Sequence, residues 1–221
     1  INDDLDGDKI FNRAADNAAG VAEVIELARL FNNVKTERSI IFAALTLEES
    51  GLLGSSYLAE NPPVDLANLV AGFNFDRILP TGKTNDMAVI GYGASELEDI
   101  LEQELERQGR YINPDPNPEK GYFYRSDHIS FAKKGVPVLY ADDGFDLEVG
   151  GIEKGFSEIY DYTNFRYHGV DDEYDSSWNL EGFEQTIYTL FNVSFTLSNS
   201  SDWPNWYEGN EFKAIREASQ E

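Results

Sequence analysis

An α/β fold, with a mostly parallel central sheet and helices on both faces, is what this 221-residue sequence predicts. Two observations carry that expectation. Apolar runs of strand length recur at Ile40–Leu45, Leu69–Phe75 and Val136–Tyr140 without polar alternation, as suits strands covered on both sides. Between them lie segments whose apolar residues repeat every three or four positions, and that alternation marks βαβ units.

Asp3 to Asn12 is polar and turn-like. The segment AADNAAGVAEVIELARLFNN follows, and Val21, Val24, Ile25, Ala28 and Phe31 give it an amphipathic helical stripe. Asp16 stands just ahead, a position that suits an N-cap as well as a chemical role. Ile40–Leu45 reads as the central buried strand, delivering Glu48, Glu49 and Gly51 before a helical stretch through Leu58. Pro62 and Pro63 break the chain, and the strand Leu69–Phe75 then ends at Asp76. Asp is depleted in strand interiors, so Asp76 belongs at a strand end, where it could also be an ordinary turn residue.

Met87–Tyr92 predicts a short strand, and Leu97, Ile100, Leu101 and Leu105 predict a helix starting at Ser95. Tyr111–Gly121 holds three prolines and reads as a loop. Ser126 or Asp127 is placed to cap a short helix ending at Gly135, ahead of the strand at Val136. Asp142–Asp175 is rich in Gly and Asp and reads as a long loop carrying His168, and loops of that length usually serve function. A last helix runs from Leu180 to about Leu197, and the tail after it is expected to pack its Trp residues on the domain. The length suits one domain, 1–221.

With 41 Asp and Glu against 17 Lys and Arg, the net charge of −24 excludes nucleic acid and anionic membranes as natural partners. There are no cysteines, so disulfides and thiolate zinc sites are excluded, and only two histidines, His128 and His168, could serve a transition metal. No apolar run reaches the ~18–20 residues of a membrane span. Adjacent carboxylates such as Glu48 and Glu49 resist ionising together unless a cation faces them. Asp16, the Glu pair, Asp76 and His168 all fall beside predicted strand ends, where ligands bind in open α/β sheets. Mixed carboxylate and imidazole ligands suit zinc best.

The motifs ADNAAGVA, LTLEESGLLGSSYL, NFD, YRSDHISFAKKGVPVLY and YHGVDDEYD, in this order, resemble metallopeptidase family 28, the co-catalytic zinc aminopeptidases. The resemblance implies a zinc-exopeptidase-like three-layer sandwich and a peptide substrate. It implies that Asp16 bridges two Zn2+ ions, that Asp76 and His168 complete one site, and that Glu49 serves the other. Glu48 would be the general base, and Tyr122 and Tyr124 are candidate substrate contacts. His128, in the SDH motif, is left outside the ligand set as a capping or hydrogen-bonded structural residue. The family's further His-x-Asp motif ahead of Asp16 does not occur here. On the resemblance the chain is therefore N-terminally truncated, its second zinc site is incomplete, and its activity is expected to be low. The resemblance also implies a secreted or periplasmic parent protein. Two alternatives stay open: a single-zinc glutaminyl-cyclase-like enzyme, and an inactive, metal-stabilised interaction module.

Overall fold

The computed structural model of the protein describes residues 10–220. Most of the acidic opening stretch, Asp3 to Lys9, lies outside them. Four strands form one mixed sheet: β1 (Gly72–Asn74), β2 (Asp86–Val89), β3 (Tyr111–Pro114) and β4 (Val138–Asp143), in the order β1-β4-β2-β3. β1 runs parallel to β4, with Phe73 opposite Leu139, and β2 parallel to β3, with Met87 opposite Ile112. The central pair β2 and β4 is antiparallel, Ala88 facing Asp142. Among the described residues seven α-helices accompany it: α1 (Ala19–Phe31), α2 (Leu53–Glu60), α3 (Leu97–Arg107), α4 (His128–Ala132), α5 (Gly151–Phe165), α6 (Glu181–Ser198) and α7 (Lys213–Ala218).

β4 shows why both faces are covered. Side chains alternate across a strand, and here both sets are apolar. Leu139 and Ala141 join Met87 and Val89 of β2, Leu101 of α3 and Val193 of α6 in one core. Val138 points the other way, toward Ile129 of α4, Trp206 and Phe212. Trp206 is buried as the sequence leads one to expect, and its indole N–H donates to the Gly135 carbonyl at 2.9 Å.

Five local expectations are corrected. Ile40–Leu45 is not the central strand: it runs without strand pairing, with Ile41 50% and Phe42 39% exposed. An apolar run becomes a strand only when a neighbour takes its backbone hydrogen bonds, and among the described residues none does. Tyr111–Gly121 is not wholly loop, because its first four residues form β3; that strand lies at the sheet edge, where proline is tolerated. The stretch 142–175 is not one long loop either, since it contains the fifteen-residue α5. Its Ile152, Phe156, Ile159 and Tyr162 keep helical spacing that the surrounding Gly and Asp obscure.

In α1 the buried positions include Glu23, Leu27 and Phe31, while Val21 and Ile25 are exposed. Phe31 sets this rotation by packing on Phe191 of α6, ring centroids 4.8 Å apart. Finally, neither Ser126 nor Asp127 caps α4 with its side chain, because the Ser126 hydroxyl is committed to Asp76.

Leu101 has no exposed surface and sits where α3 and the sheet meet. Leu101→Ala is expected to cost about 2–5 kcal/mol through lost burial and the cavity left behind. Chemical denaturation would show it as a lower midpoint with an unchanged slope.

Candidate metal centre

The site is built by two chain segments locked together through one acid. Asp172 is 1% exposed and its carboxylate accepts the backbone N–H groups of Ala15 (2.9 Å) and Asp16 (3.1 Å). Its own carbonyl accepts the Ala14 N–H at 3.0 Å, and the Tyr162 hydroxyl donates to its Oδ2 at 3.2 Å. His168, four residues upstream of Asp172, is thereby held against Asp16, its Nε2 3.1 Å from Asp16 Oδ2. The ring stacks on Tyr167 at 3.8 Å between centroids, which fixes its plane.

Glycine lets α1 approach β1. A Cβ on Gly20 would stand 2.7 Å from the Phe75 carbonyl oxygen and 2.8 Å from that of Asp76, closer than packed atoms tolerate. The Asn17 side chain accepts the Gly20 N–H at 2.9 Å and donates to the Phe75 carbonyl at 3.1 Å. Asp16 is therefore not the residue that caps this helix start; Asn17 takes that role and leaves the Asp16 carboxylate available.

The Glu pair sits on a tight turn. The Glu48 carbonyl accepts the N–H groups of Gly51 (3.0 Å) and Leu52 (2.8 Å), and the Thr46 carbonyl accepts that of Gly54 at 3.0 Å. A Cβ on Gly54 would lie 2.3 Å from that Thr46 oxygen, so only glycine lets α2 start so close to the turn. Glu49 Oε1 lies 3.0 Å from His168 Nε2, and Arg13 Nη1 pairs with the same oxygen while standing 3.6 Å from Asp16 Oδ2. Glu48 and Glu49 both line a cleft of about 340 Å³ with Asp16, Asp76 and His168.

Asp76, just past β1, is held differently. Its Oδ2 accepts the Ser126 hydroxyl at 2.7 Å and the Tyr140 hydroxyl at 3.2 Å, and Asn74 in turn donates to Ser126 at 2.9 Å. Asp76 lines the cleft but does not belong to the cluster of ligand atoms described below. Tyr122 lines the cleft as well, whereas Tyr124 is 56% exposed and its hydroxyl donates to Glu211 at 2.8 Å. His128 is buried between the rings of Phe123 (4.9 Å) and Tyr140 (5.0 Å). Burial pushes its pKa down to about 3, so the ring is neutral, and neither nitrogen makes a hydrogen bond of good geometry.

Carboxylates crowded in one cleft resist ionisation. Burial, then the charges of Asp76 and Glu49, raise Asp16 to about 6, against the opposing pull of His168 and Arg13. Burial, then Asp76 and Glu49, raise Glu48 to about 7. A cation among them would reverse both shifts.

The side chains fit a divalent ion. One ligand atom each from Asp16, Glu49 and His168 fall within 4.8 Å of one another. Asp16 Oδ2 is buried and accepts no hydrogen bond in the structure, an expensive state for a carboxylate oxygen unless a cation claims it. Two carboxylates and one imidazole form a donor set suited to zinc. The motif readings singled out Asp16, Glu48, Glu49, Asp76 and His168, but missed Arg13, Ser126, Tyr140 and Asp172. Asp172 was signalled by its place in YHGVDDEYD; the other three have ordinary sequence surroundings.

A sequence profile of Peptidase family M28 matches residues 5–192. A probable zinc metalloprotease of Pyrenophora tritici-repentis is 43% identical over 169 residues, 73% of this chain and 38% of that protein. Leucine aminopeptidase 2 of Arthroderma otae is 26% identical over 178 residues, covering 73% of this chain and 34% of its own length. Among solved structures, an aminopeptidase from Aneurinibacillus sp. strain AM-1 superposes with a TM-score of 0.64 at 21% identity, over 90% of this chain and 43% of that one. The chain thus spans well under half the length of these relatives. The profile match extends over most of the sequence, through both segments that form the metal centre, and the chain belongs to Peptidase family M28, a family of zinc metalloproteases.

Proposed function

We propose that this chain is the catalytic domain, 1–221, of a zinc-dependent aminopeptidase that removes N-terminal residues from peptides. The carrying observation is the convergence of Asp16, Glu49 and His168 within 4.8 Å, with Glu48 adjoining them in the same cleft. Asp16, Glu49 and His168 would hold one ion. On this reading Asp76, which lines the same cleft, would add a further carboxylate ligand for zinc. The chemistry that zinc supplies when bound is Lewis-acid polarisation of the scissile carbonyl and acidification of water. Glu48 takes the proton of the attacking water on its carboxylate and returns it to the nitrogen of the leaving amine. With a cation bound beside it Glu48 would be ionised, the state a general base needs. Tyr122, on the cleft wall, is placed to contact substrate.

One observation favours a second reading. Among the described residues a single three-ligand cluster is formed, which would suffice for a single-zinc enzyme such as a glutaminyl cyclase. It also supports low activity for this chain alone. An N-terminal glutaminyl peptide assayed beside an aminoacyl chromogenic substrate separates cyclase from peptidase. On the family's pattern we propose that the protein lies outside the cytoplasm, secreted or periplasmic, a reading that cell fractionation tests. No described helix is long and apolar enough to cross a membrane.

Glu48→Gln is expected to lower kcat by ~10²–10⁴-fold while zinc binding persists. Steady-state kinetics beside metal analysis checks both parts, and full turnover by the variant would sink the assignment. Zinc titration of this chain, followed calorimetrically, is expected to saturate near one ion per chain and to fail in His168→Ala. In chelator, Glu48 gives a pH signature. Its pKa is raised from 4.5 to about 7, so the stability it lends is complete below 4.5 and is lost as pH rises through about 7. Relative to Glu48→Gln, the wild-type chain should therefore lose denaturation midpoint across that window, and parallel curves would contradict the shift.

A further inference from the structure

Arg13 is the charged side chain of the centre that no step above uses, and its backbone is held where an arginine does not go by preference. Its φ of 55° and ψ of 48° lie in the left-handed region, which disfavours any residue with a Cβ. Bonds on either side keep it there. The Arg13 carbonyl accepts the Ala18 N–H at 3.0 Å, and the Ala14 N–H donates to the Asp172 carbonyl at 3.0 Å. One residue earlier, the Asn12 side chain donates to Glu173 Oε1. The contacts that tie the Asp16 loop to the 172–173 segment therefore also set the direction in which the Arg13 side chain leaves the backbone.

That side chain ends among the ligand groups. Arg13 Nη1 donates to Glu49 Oε1 and stands 3.6 Å from Asp16 Oδ2. Those are the same two oxygens that face His168 Nε2, at 3.0 and 3.1 Å. The other cations of the cleft stand elsewhere: Arg77 is 3.8 Å from Asp142, and Lys120 and Arg125 each lie 5.8 Å from the Tyr122 ring. Arg13 and Glu49 keep 31% and 44% of their side-chain surface accessible, so the contact is open to water and the long arginine arm is free to swing out of it. A guanidinium on Glu49 Oε1 and a divalent ion drawn to the same oxygens are alternatives, because like charges at such short range repel.

We propose that Arg13 is an internal competitor for zinc: it holds Asp16 and Glu49 together in the metal-free chain, and its arm leaves them when the ion binds. The inference rests on the metal-centre reading and is tested without reference to turnover. Zinc is titrated calorimetrically into the wild-type chain, Arg13→Gln and Arg13→Lys, and urea midpoints are recorded in chelator and in saturating zinc. A competitor that occupies the oxygens for more than nine-tenths of the time weakens apparent affinity by at least about tenfold. Arg13→Gln is accordingly expected to bind zinc at least about tenfold tighter than wild type, whereas Arg13→Lys, which keeps the charge, stays closer to it. In chelator the Arg13→Gln chain should unfold at a lower urea midpoint than wild type, and saturating zinc should close that gap. Circular dichroism establishes that each variant is folded, and Arg13→Ala decides the matter if Arg13→Gln does not fold. Equal or weaker zinc binding by the neutral variant, or an unchanged midpoint in chelator, would overturn the proposal and leave the metal centre standing. Absence of zinc binding from all the chains would instead sink the metal centre itself, and the competitor with it.

Discussion

Asp172 is the constraint on which the centre depends. A buried carboxylate that collects two or three backbone N–H groups is satisfied without a counter-ion, and here those groups belong to the very loop that bears Asp16. The bond network therefore joins residue 16 to residue 172 across most of the chain. It fixes the Asp16 backbone and leaves the Asp16 side chain facing the cleft with its Oδ2 against His168 Nε2. Removing that one carboxylate would strand the N–H groups of two residues and loosen both halves of the centre together.

The sheet contributes the other half of the geometry. β1 delivers Asp76, and β4 delivers Tyr140 and then Asp142, so neighbouring parallel strands end in the same cleft. Ser126, at the approach to α4, connects Asn74 and Asp76 and holds that carboxylate in one orientation. Acids that line the cleft are thus carried on elements whose opposite sides are apolar core. Rigid support of this kind is what keeps several like charges close despite their mutual repulsion.

Much of this was legible in the chain. The helices α3 and α6 follow from their apolar spacing, and β1, β2 and β4 from their uninterrupted runs, because burial on one stripe or on two faces leaves a direct pattern. Asp16, Glu48, Glu49, Asp76 and His168 could be singled out because the motifs that carry them resemble those of one family, although the strand expected ahead of the Glu pair does not form. What was not legible depended on partners distant in sequence. Ile40–Leu45 has a strand's composition, but composition cannot supply a neighbour to pair with. The α1 stripe pointed to Val21 and Ile25, whereas the fold buries Glu23 beside Asp142 and Asp143, an arrangement no local periodicity encodes. β3 was hidden by prolines that only an edge position permits, and α5 by the glycines around it.

The uncovered run at Ile40–Leu45 has a bearing on how the protein behaves in bulk. Together with Val21 and Ile25 it offers apolar surface to any second copy that meets it. Long-range repulsion between bodies each carrying a formal charge of −24 opposes such contact. That repulsion weakens as added electrolyte shortens its reach to about 8–10 Å, whereas contact between greasy surfaces does not. Colloidal behaviour is therefore governed by ionic strength, and light scattering along a salt series reads the balance directly.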